Sequence, residues 1–183
     1  MPKEKKPAPS AAVLACYNAV PSILWSGLAL VPLSVFCYQH MARPWLWGLL
    51  GVSLLGYLVP KTWFRYWQLS QSPRRYQQLG VPVIGRFTQH GTVVNTLLRR
   101  RYPHYRHVPN RRALRGLVAG SYHMERFHVV LLLFFGFAGL YALAGGHVGW
   151  AALILLTNLG YNLYPVWLQQ YLRLRAPTAT TQL

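Results

Sequence analysis

Glu125-Arg126-Phe127-His128-Val129-Val130-Leu131-Leu132-Leu133-Phe134-Phe135-Gly136-Phe137-Ala138-Gly139-Leu140-Tyr141-Ala142-Leu143-Ala144 is the stretch that decides how this chain folds. A carboxylate and an imidazole stand at the entrance of an apolar block over residues 128–144. A block of this kind belongs in hydrocarbon, where the backbone must satisfy its own hydrogen bonds as a helix. Gly145-Gly146-His147 then reads as a tight uncharged turn, and a further apolar block over 148–168 follows it.

Two more apolar blocks lie upstream. The first covers residues 20–38 and carries Pro21 and Pro32, which predict a kink. The second, residues 45–59, has only 15 residues. As a helix it spans ~22 Å, short of a ~30 Å hydrocarbon core. Trp45, Trp47, Trp63 and Trp67 flank it, as residues that anchor a segment at a membrane interface do. The block reads as a full or a partly re-entrant crossing.

Between these pairs lies a polar centre, residues 60–127, which holds 13 of the 19 Lys and Arg residues. Residues 76–101 read as short helical or turn pieces, broken at Gly80, Pro82, Gly85 and Gly91. Asn110 is placed to cap a helix that begins at Arg111 and continues into the 128–144 block. The expected architecture is therefore an all-α integral membrane protein of about four transmembrane helices, near 20–38, 45–59, 128–144 and 148–168. Residues 16–175 form one membrane domain. A basic tail over 1–15 and a second tail over 176–183 are expected to be disordered.

Charge supports this reading and gives it a direction. The 183 residues carry a formal net charge of +17, with Glu4 and Glu125 the only acids. A soluble domain mixes both signs over its surface. A nucleic-acid binder would share the basic excess, but long apolar blocks favour anionic lipid headgroups as partners and argue against nucleic acid. The N-terminal tail, the centre and the C-terminal tail hold 3, 13 and 2 positive residues, and the two opposite turns hold only Arg43. By the positive-inside rule both termini and the central segment are cytoplasmic, in a multi-pass protein of the cell (inner) membrane.

Several chemistries lack their residues. There is no phosphate-binding Gly-rich loop, no Cys-x-x-Cys and no Asp for a Ser/His/Asp triad. Cys16 and Cys37 show neither metal-ligand spacing nor a disulfide framework and read as packed thiols. Val13-Leu14-Ala15-Cys16 loosely matches a lipoprotein cleavage box but lacks a preceding signal core.

Glu125 and His128 stand at i and i+3, with Cβ atoms ~5–6 Å apart on one helix face that also carries Ser121. A carboxylate so placed fixes an imidazole's tautomer and raises its basicity, which makes the pair a candidate catalytic couple. The structural reading stays open beside it: Glu125 only neutralises arginines, with Arg111, Arg112, Arg115 and Arg126 at hand. A di-iron centre needs carboxylates the chain lacks, and a zinc site with His104 or His123 is a weak signal. Asn158, Tyr161, Asn162, Tyr164, Gln169, Gln170 and Tyr171 form a second polar set. It reads as interhelical hydrogen bonding or as a lining that binds a sugar. Arg173 and Arg175, with the cluster Arg99-Arg100-Arg101, suit phosphate or anionic headgroups.

These residues also carry a resemblance. Glu125-Arg126-Phe127-His128 resembles the Glu-x-x-His element of the glycosyl-4,4'-diaponeurosporenoate acyltransferase family. The stretch from Asn162-Leu163-Tyr164-Pro165 through Gln169-Gln170-Tyr171-Leu172-Arg173-Leu174-Arg175 resembles that family's Asn-x-x-Pro…Gln-Arg-Tyr-Asn-Arg-x-Arg element, and Tyr76-Gln77-Gln78-Leu79-Gly80-Val81 a third segment. Gln170 stands where the family has Arg, Leu172 where it has Asn, and Gly120 where an acid precedes Ser121. The resemblance implies a membrane O-acyltransferase that moves a fatty acyl group from an acyl thioester such as acyl-CoA to a sugar hydroxyl of a carotenoid glycoside. On that implication no cofactor is needed beyond the thioester co-substrate. His128 and Glu125 would be catalytic, and Asn158, Asn162, Tyr164, Gln169, Tyr171, Arg173, Arg175 and Arg126 would line the substrates. The alternative is a non-enzymatic membrane scaffold that binds anionic lipid through its basic segment.

Overall fold

The computed structural model describes residues 8–181, which form helices and connecting turns with no strand among them. Helix α1 (Ala11–His40) starts where the Ser10 hydroxyl accepts from the Val13 amide, and it continues through Pro21 and Pro32. Residues 11–15, expected as tail, are therefore helical, and residues 1–7 of that tail lie outside the described residues. Helix α6 (Arg111–Ala144) is capped by Asn110, whose Oδ1 accepts from Ala113 N at 2.9 Å. At 34 residues it is ~51 Å long, so its basic first turns stand clear of a ~30 Å apolar layer.

The turn at Gly145 and Gly146, the latter at φ +77, leads into α7 (Val148–Asn158). One π turn, Leu159–Leu163, joins α7 to α8 (Tyr164–Thr181) without a break. The helix thus runs beyond the expected end at 168 and includes most of the expected C-terminal tail; residues 182–183 lie outside the described residues.

Among the described residues three helices are long and apolar enough to cross a membrane: Ala11–His40, Arg111–Ala144 and Val148–Ala176. The fourth expected block is shorter. Helix α2 (Arg43–Leu54) gives way to a tight turn at Leu55–Leu58. Pro60 then holds Val59 in extended backbone, which ends the helical run. Gly56 packs against Val130, where an added Cβ would meet the Val130 side chain at 2.9 Å. The segment nevertheless runs along α6. At one end the Ala42 amide donates to Tyr141 Oη at 3.3 Å, and at the other Arg126 Nη2 donates to the Val59 carbonyl at 2.7 Å.

The apolar core joins α1, α6 and α7 through Leu33, Phe36, Phe134, Phe135 and Ile154. Small residues let the backbones approach: Ala29, Ala138, Ala142 and Ala151 are buried, and Gly139 lies against Leu155. Many outward apolar side chains, among them Ile23, Leu28, Leu140 and Leu156, are exposed, as a lipid-facing surface requires. A second cluster sits at the basic end. There α3 (Pro73–Gln78) and α4 (Val81–Gly85) pack on α8 through Tyr76, Val81, Trp167, Leu168 and Tyr171. Helix α5 (Thr92–Arg101) follows and touches α1.

Candidate active site

Two polar networks meet α6 within two turns of each other, and they do not share partners. The first centres on Glu125, which has no solvent exposure. Its Oε1 accepts from Gln170 Nε2 at 2.8 Å and from Trp67 Nε1 at 3.0 Å, and its Oε2 pairs closely with Arg173. Arg173 also donates to Ser121 Oγ at 3.2 Å and lies over the Tyr122 ring, 4.2 Å from its centroid. A carboxylate buried this fully needs a cation and directed donors, and all of these are present.

Gln170 extends the network. While its amide nitrogen serves Glu125, its Oε1 accepts from Leu69 N at 3.1 Å and from Tyr76 Oη at 3.0 Å. The Ser70 amide in turn donates to Tyr76 Oη at 3.2 Å. Burial pushes the Tyr76 hydroxyl up from its ordinary value, and the Ser70 contact opposes this in part, so it stays protonated and able to donate. One carboxylate thereby holds α6, α8 and the 67–76 segment together.

The second network centres on His128. Its Nδ1 faces Asn162 Oδ1 at 3.4 Å; Asn162 Nδ2 donates to Asn158 Oδ1 at 2.8 Å, and Asn158 Nδ2 donates to the Leu132 carbonyl at 3.0 Å. Each amide nitrogen is spent on the next carbonyl, so the Asn162 oxygen can only accept. An acceptor facing Nδ1 suits a proton on that nitrogen, and the Tyr161 backbone is a further hydrogen-bond partner of the ring. Phe127 and Tyr161 meet the imidazole edge-on, at 5.1 and 5.9 Å between centroids. Tyr161 and Asn162 both lie in the π turn, a kind of irregularity that recurs at functional sites.

This arrangement corrects one expectation. Glu125 and His128 share a helix, but among the described residues no hydrogen bond or ion pair joins them. The carboxylate is taken by a cation and an amide from α8, which outcompete a neutral ring for a buried charge. Nor do the nearby arginines pair with it. Arg126 reaches the Val59 carbonyl and lies over Phe64, 5.7 Å from the ring centroid.

The remaining expected residues are placed apart. Tyr164 Oη donates to the Leu79 carbonyl at 3.1 Å. Tyr171 Oη accepts from Gln77 Nε2 and from Arg175 Nη1, both at 3.5 Å. Gln169 is half-buried on α8 and belongs to neither network. Trp67 is absent from the expected set. Gln170 belongs to the second polar set, though not as a partner of Glu125, and Tyr76 lies in the third resembling segment outside any expected site. Their signals were an Arg position filled by Gln and a tyrosine opening the weakest matching segment. Cys37 is a buried thiol, but Cys16, expected to be packed, is exposed. Among the described residues no three His, Cys, Asp or Glu side chains converge, so the weak zinc reading has no ligand set.

Residues 60–181 match the family model described as glycosyl-4,4'-diaponeurosporenoate acyltransferase. The match takes in both networks and leaves out α1 and α2. No curated protein and no solved structure matches the chain.

Proposed function

The chain belongs to the glycosyl-4,4'-diaponeurosporenoate acyltransferase family, and from that membership we propose that it moves a fatty acyl group from an acyl thioester to a sugar hydroxyl of a carotenoid glycoside or similar glycolipid. The observation that carries the reading is the His128–Asn162–Asn158 relay, which orients the imidazole on a helix that crosses the bilayer. In the proposed reaction Nε2 takes the proton of the sugar hydroxyl as its oxygen attacks the thioester carbonyl. The tetrahedral centre then collapses, the carbon–sulfur bond breaks, and the imidazolium returns the proton to the leaving thiolate. Asn162 holds the tautomer, the role expected of Glu125 from sequence. Glu125 and Arg173 position α8 against α6 and so keep Asn162 beside His128. Arg99, Arg100 and Arg101 supply cations for the donor's phosphates.

The proposed topology has both termini and the central segment on the cytoplasmic side of the cell membrane. Residues 43–59 make a fourth, short crossing, supported by their contacts with Tyr141 at one end and Arg126 at the other. Those two residues lie ~22 Å apart along α6, so the bilayer would thin locally or the ends would be met by Trp45, Trp47 and Trp63, all exposed.

Lipid and pigment profiling of cells with the wild-type chain, with His128→Ala and with neither tests this reading. An acyltransferase predicts an acylated glycolipid in the first case, and its unacylated precursor in the other two at equal membrane expression. Normal product with His128→Ala would remove the imidazole from the mechanism. Identical profiles in all three would favour a scaffold.

A further inference from the structure

A cleft of about 670 Å³ opens beside the last turn of α5, lined by Asn95, Arg99, His104, Tyr105, Arg106 and His107 among others. Arg99 and Arg106 are exposed. No acid answers them, because among the described residues the one ion pair is that of Arg173 with Glu125. The negative end of the α5 dipole is about half a charge, which Arg99, Arg100 and Arg101 outweigh. Asn95 adds a different requirement. Its Nδ2 donates to the His90 carbonyl at 2.7 Å, while its Oδ1 is buried with no donor. An occupant must therefore bring both anionic oxygens and a hydrogen-bond donor.

The cleft is also connected to His128. His107 stacks on His90 at 4.1 Å, and the His90 amide donates to Asn18 Oδ1 at 2.7 Å. Two turns further along α1, ~12 Å away, Ser26 shares a 2.9 Å hydrogen bond with Tyr161 Oη, whose ring meets His128. A run of side-chain contacts along α1 thus links the cleft to the imidazole.

We propose that this cleft is a phosphate-ester subsite for the acyl donor, with Arg99 and Arg106 meeting phosphoryl oxygens and Asn95 accepting from a hydroxyl or amino group of the same ligand. The inference rests on the acyl-transfer reading above. Two kinds of ligand share this phosphate chemistry, a soluble nucleotide-bearing thioester and a phospholipid headgroup.

The full chain in phosphatidylcholine nanodiscs distinguishes them, read by equilibrium binding of coenzyme A and, separately, by competition from phosphatidylglycerol. Arg99→Gln/Arg106→Gln is expected to weaken coenzyme A binding at least tenfold, against less than threefold for the charge-matched Arg74→Gln/Arg75→Gln on α3. Asn95→Leu should weaken coenzyme A and leave inorganic phosphate unchanged. If the cleft variant alters only the phosphatidylglycerol effect, the phosphate site stands and its source is lipid. Equal losses in the two double variants, or no response to either ligand, would overturn it. Arg106→Gln alone, on an exposed turn, repeats the test should the double variant elute as aggregate. Binding needs neither acceptor nor turnover, so intact binding with absent acyl transfer would count against the proposed reaction and not against the cleft.

Discussion

Gln170 Nε2 donates to Glu125 Oε1 at 2.8 Å, and both side chains are sealed from solvent. The contact places a neutral amide and a charged guanidinium on one buried carboxylate, since Arg173 holds the other oxygen. The resemblance read from the sequence leads to an expectation of Arg at the Gln170 position. Gln here gives Glu125 one cation and leaves an amide oxygen free to hold Leu69 and Tyr76.

Breaking that pair from one side leaves a nearly buried cation unanswered, as Arg173 is only 11% exposed. Glu125→Gln is expected to destabilise the protein by roughly 3–5 kcal/mol. Adding Arg173→Met should recover a large part of the loss, because the orphaned charge is then gone. Thermal unfolding of the four members of this cycle in detergent measures the coupling. Additive losses would show that the two residues act separately.

Asn162→Ala removes the acceptor from His128 Nδ1 and leaves the ring in place. A tautomer-fixing role predicts a fall in kcat of about 10²-fold with little change in KM, the scale of a displaced general base. Asn162→Asp keeps an acceptor and should restore part of the rate. A change confined to KM would assign Asn162 to substrate binding.

Near the cleft, burial foremost and then the neighbouring His90 push His107 below its ordinary value of 6.5. The folded state therefore keeps the ring neutral where the unfolded chain takes up a proton. Stability is unaffected above pH ~6.5 and falls as the pH drops below it. Relative to the intrinsic exchange rate at each pH, protection of the 103–110 amides should fall over that window in the wild type, and His107→Phe should reduce the response. Protection that rises on acidification would contradict this sign.

In a Cys16→Ser background the remaining thiol, Cys37, is buried. Single cysteines at Arg43 and Arg100 then report sidedness to an impermeant maleimide. Position 43 is expected to label in intact cells and position 100 only after permeabilisation. Labelling of both from one side would mean that residues 43–59 do not cross.

Much of the frame was legible because it depends on local rules. The Asn110 cap, the unbroken run into 128–144 and the shortness of the 45–59 block all follow from neighbours in sequence. The partners of Glu125 were not legible. Spacing makes His128 its neighbour, yet the carboxylate is claimed from 48 residues away by Arg173 and 45 away by Gln170, contacts that only the packing of α8 on α6 creates. The helical ends at Ala11 and Thr181 were missed for a related reason. Polar and Pro-containing composition reads as tail, whereas the backbone continues as helix.

The π turn at Leu159–Leu163 acts as a setting of angular phase. It takes about one residue more than an α turn, and each helical residue advances the chain by ~100°. Gln170 and Arg173 lie beyond it, so their bearing on Glu125 depends on that additional residue. A one-residue deletion there would leave hydropathy and crossing length almost unaltered while swinging both side chains by about a quarter of a revolution, away from the carboxylate. Two chains with the same oily profile would then differ in whether this clamp closes.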